Sequence, residues 1–190
     1  SAMTFKQKLD KAVSRNNSLL CVGLDPQSEP LFSFCKKIVD QTHDLVCAYK
    51  PNSAFYEAYG ASGILEFKKL CAYIQKKYPY IPIILDAKRA DIGNTNNGYV
   101  AYAFDYLKVD AITVHPYLGR EALKPFLDRK DKGIIVLCRT SNEGAGEYQD
   151  LMVKGKKLYM YVAKEVSKSW NKNKNCLLVV GATYPKEMKR

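Results

Sequence analysis

The sequence predicts an α/β protein built on a parallel sheet, and three observations carry that reading. Six short apolar runs, rich in β-branched residues, alternate with stretches of helical character. The runs are continuously apolar rather than alternating, as expected of parallel strands covered on both faces. Polar side chains end them: Asp25, Lys50, Asp86 with Lys88, His115, Arg139 with Thr140 and Ser141, and Thr183. A doubly wound sheet and a (β/α)8 TIM barrel share this pattern, and both gather functional residues at strand C-termini. No Gly-x-Gly-x-x-Gly turn follows the first strand, which lowers the dinucleotide-binding alternative and favours the barrel.

Each element has its own signal. Thr4 with Gln7 makes a capping-box pattern, and Phe5, Leu9 and Val13 recur every four residues, so an amphipathic helix opens the chain. Ser18 to Leu24 is the first strand, ending in Asp25-Pro26, and a helix follows from Pro30 to Thr42. Leu45 to Tyr49 is the second strand, ending in Lys50-Pro51-Asn52. A helix over 62–77, a third strand from Ile81 to Leu85 and a helix over 95–107 come next. Ala111 to His115, Gly133 to Cys138 and Cys176 to Val180 supply strands four to six, and Tyr159, Val162, Ala163, Val166 and Trp170 mark one apolar helix face between the last two. A complete barrel of eight units typically takes about 250 residues. At 190 residues the chain is expected to be an incomplete (β/α)8 barrel over 4–190, holding the first six strands, after a tag remnant at Ser1-Ala2-Met3.

Composition excludes several classes. With 47% hydrophobic and 26% charged residues the chain can bury a core. Its apolar runs are too short to span a membrane, and no secretory signal pattern opens it. Cys21, Cys35, Cys47, Cys71, Cys138 and Cys176 are scattered without a Cys-x-x-Cys pair, and read as reduced core residues of a cytoplasmic protein. His43 and His115 share no metal-ligand spacing with each other or with a cysteine. Thirty basic against nineteen acidic residues give a net charge of +11. No aromatic-interleaved basic motif accompanies it, so the lysines read as solvated surface and no nucleic-acid partner is expected. His115 reads as a structural histidine near Pro116, His43 as a helix-end surface residue, and Gly144-Ala145-Gly146 as an ordinary loop.

The most informative stretch is Asp86-Ala87-Lys88-Arg89-Ala90-Asp91-Ile92. Asp86 and Lys88, two residues apart as a strand ends, point to the same side and place a carboxylate beside an ammonium. Asp91 lies past the strand end, where a turn presents it from another direction. Fixed charges so clustered suit a site that stabilises charge developing on a small substrate.

With Asp25 ending strand one and Lys50 ending strand two, the motif Asp-x-Lys-x-x-Asp and its continuation Ile92-Gly93-Asn94-Thr95 resemble the orotidine 5'-phosphate decarboxylase family. The subgroup with Pro-Asn after the strand-two lysine and Arg-Thr-Ser-Asn after strand five is the most similar, through Lys50-Pro51-Asn52 and Arg139-Thr140-Ser141-Asn142. The resemblance runs from Gly23-Leu24-Asp25-Pro26 to Val180-Gly181-Ala182-Thr183. It implies a cofactor-free, metal-free carboxy-lyase converting orotidine 5'-monophosphate to uridine 5'-monophosphate and CO2 in pyrimidine biosynthesis. By resemblance, Lys88 is the proton donor to C6, Asp86 sits by the departing carboxylate, and Lys50 and Asp91 complete an alternating charge array. Asp25 and Thr95 would bind ribose hydroxyls, Ile92 would belong to the substrate pocket, and Ser141 with Asn142 would read the pyrimidine edge. In the family Asp91 and Thr95 reach the neighbouring subunit's site, which implies a homodimer. Fusion to orotate phosphoribosyltransferase is a further expectation, and so is little or no activity of this chain alone, since the family's phosphate-binding loops follow strands seven and eight.

Two rivals stay open. A sister barrel enzyme resembling 3-keto-L-gulonate 6-phosphate decarboxylase carries the same motif but uses Mg2+, with a glutamate where this chain has Lys50, whose ammonium would repel the metal. A non-catalytic basic binding barrel is motivated by the net charge alone.

Overall fold

The structure is a computed structural model that describes residues 2–183. Thr4 caps the first helix, α1 (Phe5–Asn16), with a complete capping box: its hydroxyl accepts the Gln7 N–H at 3.2 Å and the Gln7 side chain accepts the Thr4 N–H at 3.0 Å. Then follow β1 (Cys21–Gly23), α2 (Leu31–Thr42), β2 (Ala48–Lys50), α3 (Gly60–Lys77), β3 (Ile84–Arg89), α4 (Gly93–Val100), β4 (Ala111–Val114), α5 (Arg120–Leu127), β5 (Gly133–Arg139), α6 (Leu158–Glu165) and β6 (Cys176–Val180). Wider π-helical turns extend α4 over Ala101–Tyr106 and α6 over Val166–Trp170.

Strands β1 to β6 are parallel and follow chain order. β1 pairs with β2, and β3, β4, β5 and β6 form a continuous ladder. Parallel bridges Tyr49↔Ile83 and Asn52↔Asp86 join the two groups. Sequential parallel neighbours joined by helices are the arrangement of a barrel wall.

Alternation along the strands decides between the two architectures. One set of strand residues (Tyr49, Ile83, Leu85, Ile112, Val114, Ile134 and Val136) packs with apolar residues of α2, α3, α4 and α5 in the main core. The alternate set (Ala48, Ile84, Ala111 and Ile135, with Leu177 and Val179 against them) forms a second core that meets only Phe5, Leu9 and Val13 of α1 together with Cys47. The connecting helices thus cover one face, while α1 closes the other at its N-terminal end. A doubly wound sheet would carry helices on both faces; this is the wall of a barrel.

The plug is sterically specific. Phe5 is 4% exposed, and its N–H donates to the Asp131 carbonyl at 2.8 Å. Burying such a ring is worth about 1.5–3 kcal/mol. Gly133 makes the room, because a Cβ there would stand 2.3 Å from Phe5 Cδ1.

Several expectations are corrected. β1 begins at Cys21 instead of Ser18, and Leu19 and Leu20 are exposed. β2 begins at Ala48 rather than Leu45. β3 spans 84–89, so Asp86 and Lys88 lie within the strand and not past its end. Its late start has a physical cause: Pro82 has no N–H to donate, and the Ile83 N–H is taken by the Asp110 carboxylate at 2.8 Å. Helix α5, the short helix Ala54–Glu57 and the antiparallel hairpin Met152–Val153 with Lys156–Lys157 carry no signal strong enough to have been expected. Gly144-Ala145-Gly146 is not a plain loop but part of two short helical turns.

All six cysteines are free; Cys35, Cys47, Cys71 and Cys138 are buried as expected, whereas Cys21 is exposed. Among the described residues, no helix is long and apolar enough to cross a membrane.

Candidate active site

The inward parity that builds the second core continues toward the strand C-termini as a polar layer. Above Ala48 comes Lys50, above Ile84 come Asp86 and Lys88, and above Ala111 comes Thr113. Leu137 and Val179 of β5 and β6 share that parity and supply apolar wall. Together they line a cavity of about 620 Å³, completed by Thr140, Ser141, Asn142, Gln149 and Gly181.

Asp86 is its electrostatic centre. The residue is 7% exposed, and its Oδ1 accepts from Lys88 Nζ at 2.7 Å and from the Thr113 hydroxyl at 2.8 Å. Its Oδ2 faces Lys50 Nζ at 3.3 Å. Burial by itself would push the carboxyl's pKa up; the bonds from Lys88 and Thr113 and the charges of Lys50 and Lys88 outweigh it and hold the group below the ordinary range. Asp86 is therefore anionic at neutral pH between two ammonium groups. The ammonium partners are much more open than the carboxylate, with side-chain exposures of 41% for Lys50 and 49% for Lys88. Their Nζ atoms can meet a ligand without leaving Asp86.

The loop after β5 is held down by its own residues. Gln149 accepts the Thr140 N–H at 2.9 Å and donates to the Thr140 hydroxyl at 2.9 Å. Arg139, buried at the end of β5, pairs with Asp150 at 3.3 Å. Gly181 lets Ser141 lean on the end of β6, since a Cβ at 181 would stand 3.0 Å from Ser141 Cβ.

Of the residues singled out from sequence, Lys50, Asp86, Lys88, Ser141 and Asn142 line this one cavity. Asp25, Asp91, Ile92 and Thr95 do not. Asp25 ends β1 beside it, its Oδ1 accepting the Asn52 N–H at 2.9 Å. The Asp91 carboxylate accepts the N–H of Ile92 at 2.6 Å and joins no ion pair among the described residues. Ile92 is 63% exposed, and exposed Thr95 lines a separate outer groove with Arg89, Tyr99 and Tyr102. His115 is structural: Nε2 contacts the Ala90 carbonyl oxygen at 3.1 Å, and Nδ1 accepts the Tyr117 N–H at 3.3 Å. His43 stacks on Tyr78 with ring centroids 4.4 Å apart, more engaged than a surface residue.

Sequence reasoning missed Thr113 and Gln149. Thr113 was detectable as a polar residue at the inward parity of an apolar strand. Gln149 belongs to no strand or motif and has no such signal.

Among the described residues no three His, Cys, Asp or Glu side chains converge as a metal site. A parallel barrel wall with a Lys-Asp-Lys array at its C-terminal rim defines a (β/α)-barrel enzyme of the fixed-charge type. Comparison with known proteins narrows the class. Residues 18–190 match the family described as orotidine 5'-phosphate decarboxylase / HUMPS family. A curated protein of Cellvibrio japonicus named orotidine 5'-phosphate decarboxylase is 50% identical, the match covering 98% of this chain and 72% of that protein. The solved structure of Leishmania donovani OMP decarboxylase superposes with a TM-score of 0.93 at 40% identity, covering 98% of this chain and 74% of the other. That of Leishmania donovani UMP synthase gives the same TM-score and identity, with this chain spanning 42% of it. The chain belongs to the orotidine 5'-phosphate decarboxylase / HUMPS family, and the expected barrel fold is that of these neighbours.

Proposed function

We propose that this chain carries the site that decarboxylates orotidine 5'-monophosphate to uridine 5'-monophosphate and CO2. The observation that carries the reading is the Lys50–Asp86–Lys88 array, with distances of 3.3 and 2.7 Å, at the wall of an open cavity. The names of its relatives support the substrate.

Breaking the C6–carboxyl bond leaves the electron pair on C6, and CO2 departs without it. No adjacent carbonyl takes up that charge, so the protein must present a cation already in place. Lys88 is that cation. Its Nζ faces the developing lone pair, gives its proton to C6, and regains one from solvent. Asp86, anionic and largely desolvated, stands by the substrate carboxylate; their repulsion falls as charge moves from the carboxylate to C6, so this contact favours the transition state over the ground state. Lys50 screens Asp86 from the other side and keeps the carboxylate oriented.

In this reading Asp25 binds a ribose hydroxyl, Ile92 contributes to the substrate pocket, and Ser141 with Asn142 meets the pyrimidine edge from the clamped loop. Asp91 and Thr95 serve the site of a second copy in a homodimer; their place outside the cavity supports that assignment. The similarity to a UMP synthase supports orotate phosphoribosyltransferase as the domain to expect where this barrel sits in a longer polypeptide. The enzyme works in the cytoplasm and needs no metal, because Lys50 would repel a divalent cation from the Asp86 side of the cavity.

The test, on the protein carrying strands seven and eight as well, is the fall in absorbance as orotidine 5'-monophosphate is consumed, with Lys88→Ala as control and EDTA as a second arm. Turnover that survives EDTA and disappears in the variant is expected. Strict Mg2+ dependence would shift the assignment to the sugar-phosphate decarboxylases; turnover persisting in Lys88→Ala would remove Lys88 from its role.

A further inference from the structure

We propose that Thr113 is a positioning residue, one hydroxyl that fixes both the backbone of Lys88 and the carboxylate of Asp86; only the kinetic arm of its test rests on the decarboxylation reading.

The starting observation is an irregularity in the wall. β3 and β4 are in register at Ile84↔Ala111 and Leu85↔Ile112, and next at Arg89↔Val114. Asp86, Ala87 and Lys88 are therefore all set against the single residue Thr113. Such a bulge leaves amide groups without ladder partners. Thr113 Oγ1 supplies the missing acceptor twice, taking the N–H of Ala87 and that of Lys88, each at 3.0 Å.

A hydroxyl has two lone pairs and one proton. Both lone pairs are spent on these amides, so the proton has one direction left. It points at Asp86 Oδ1, 2.8 Å away. Thr113 is 3% exposed, and its β-branched side chain has few rotamers to wander through. The donor direction is set by covalent geometry and burial together.

The consequence for Lys88 is direct. Its φ is +48°, the left-handed region that costs a non-glycine residue about 1 kcal/mol or more. Its amide is held there by the same oxygen whose proton binds Asp86, and its Nζ returns to Asp86 Oδ1 at 2.7 Å. Backbone, ammonium and carboxylate close into one ring of contacts through Thr113. Without the hydroxyl the bulge loses its acceptor, Lys88 can leave the left-handed region, and Nζ loses its fixed position over the cavity. Charged groups facing Asp86 are Lys50 from β2 and Lys88 from β3; β4 offers only Thr113, and β5 offers apolar Leu137.

The test compares Thr113→Val, of equal shape but without the hydroxyl, with Thr113→Ser, which keeps it. Kinetics are measured on the protein carrying strands seven and eight as well, and the Asp86 carboxyl is titrated by 13C NMR without substrate. For the valine variant we expect kcat to fall roughly 10- to 100-fold with KM within about threefold, and the Asp86 midpoint to rise by about one pH unit, the scale of a hydrogen bond to a charged group. The serine variant should stay within about threefold of wild type with its midpoint unmoved. A merely structural threonine would lower Tm alone; a valine variant with wild-type kcat and an unshifted Asp86 midpoint overturns the proposal, and so does a serine variant as impaired as the valine one. Should valine prevent folding, Thr113→Ala, which admits a water to the two amides, is judged by the same two readouts. If wild type shows no turnover, the decarboxylation reading fails while the Asp86 titration still decides Thr113.

Discussion

Replacing Asp86 with asparagine keeps the shape of the side chain and removes its charge. The structure allows the size of the effect to be worked out. Two ammonium partners at 3.3 and 2.7 Å are themselves 41% and 49% exposed, so solvent screens them, and each pair is worth about 0.2–1 kcal/mol. The Thr113 hydroxyl bonds the charged carboxylate in a buried setting, worth about 1.5–3 kcal/mol, part of which asparagine retains through its carbonyl oxygen. Desolvation of the carboxylate opposes these gains. The expected net loss is about 1–3 kcal/mol of stability at neutral pH, read as a shift of the urea midpoint. The sign with pH follows from the depressed pKa of Asp86 in the folded state. Its stabilisation is present above the unfolded value of about 3.9 and is lost as pH falls through the lower folded value, so the two proteins converge in acid. Turnover should fall by about 10²–10³-fold, the usual cost of removing one preorganised charge. An asparagine variant equal to wild type in urea at pH 7, or within tenfold in turnover, would refute the account of Asp86 as the centre of the array.

Three further outcomes are expected. Lys88→Ala and Asp91→Ala proteins, each inactive alone, should recover roughly a quarter of wild-type activity when mixed under subunit exchange, because half the dimers are mixed and each holds one intact site; no recovery, with exchange shown by mass spectrometry, would place Asp91 in its own subunit's site. Gly133→Ala should destabilise by about 1–3 kcal/mol through its collision with Phe5, read as a lower Tm. Gln149→Leu, which releases the Thr140 N–H and hydroxyl, should raise KM severalfold with a smaller change in kcat as Ser141 and Asn142 lose their footing; an unchanged KM would show that the loop is held without the clamp.

The strand-end charge motif was the strongest signal in the sequence, and side-chain alternation put Asp86 and Lys88, two residues apart, on one side of their strand. Lys50 sits two residues after Ala48, and Asp86 two after Ile84, so each charge shares the face of that residue on its own strand. That carried Asp86 and Lys88 to one side of one strand; the pairing of β2 with β3 brings Lys50 to the same side. It could not carry Asp91 or Thr95, which lie beyond the strand in the turn and the first turn of α4, where the strand period no longer applies. Nor could it reveal the late start of β3, which depends on Asp110, a residue 27 positions away from the amide it accepts.

The charge motif, the apolar strand runs and the capping box at Thr4 are local properties, legible from residue type and spacing along the chain. Which parity faces inward is not local. It was decided by Phe5 filling the room left at Gly133 and by the outer residues finding α2 to α5, a choice that exists only when the whole wall has formed. The environment of Asp86 is of the same kind: its pKa and the turn at Lys88 both depend on Thr113, brought from the next strand by a bulge that the ladder, and nothing in the motif, creates. Spacing can name the charges, but the acceptors and donors that hold them come from elements distant in sequence, and only tertiary packing chooses those.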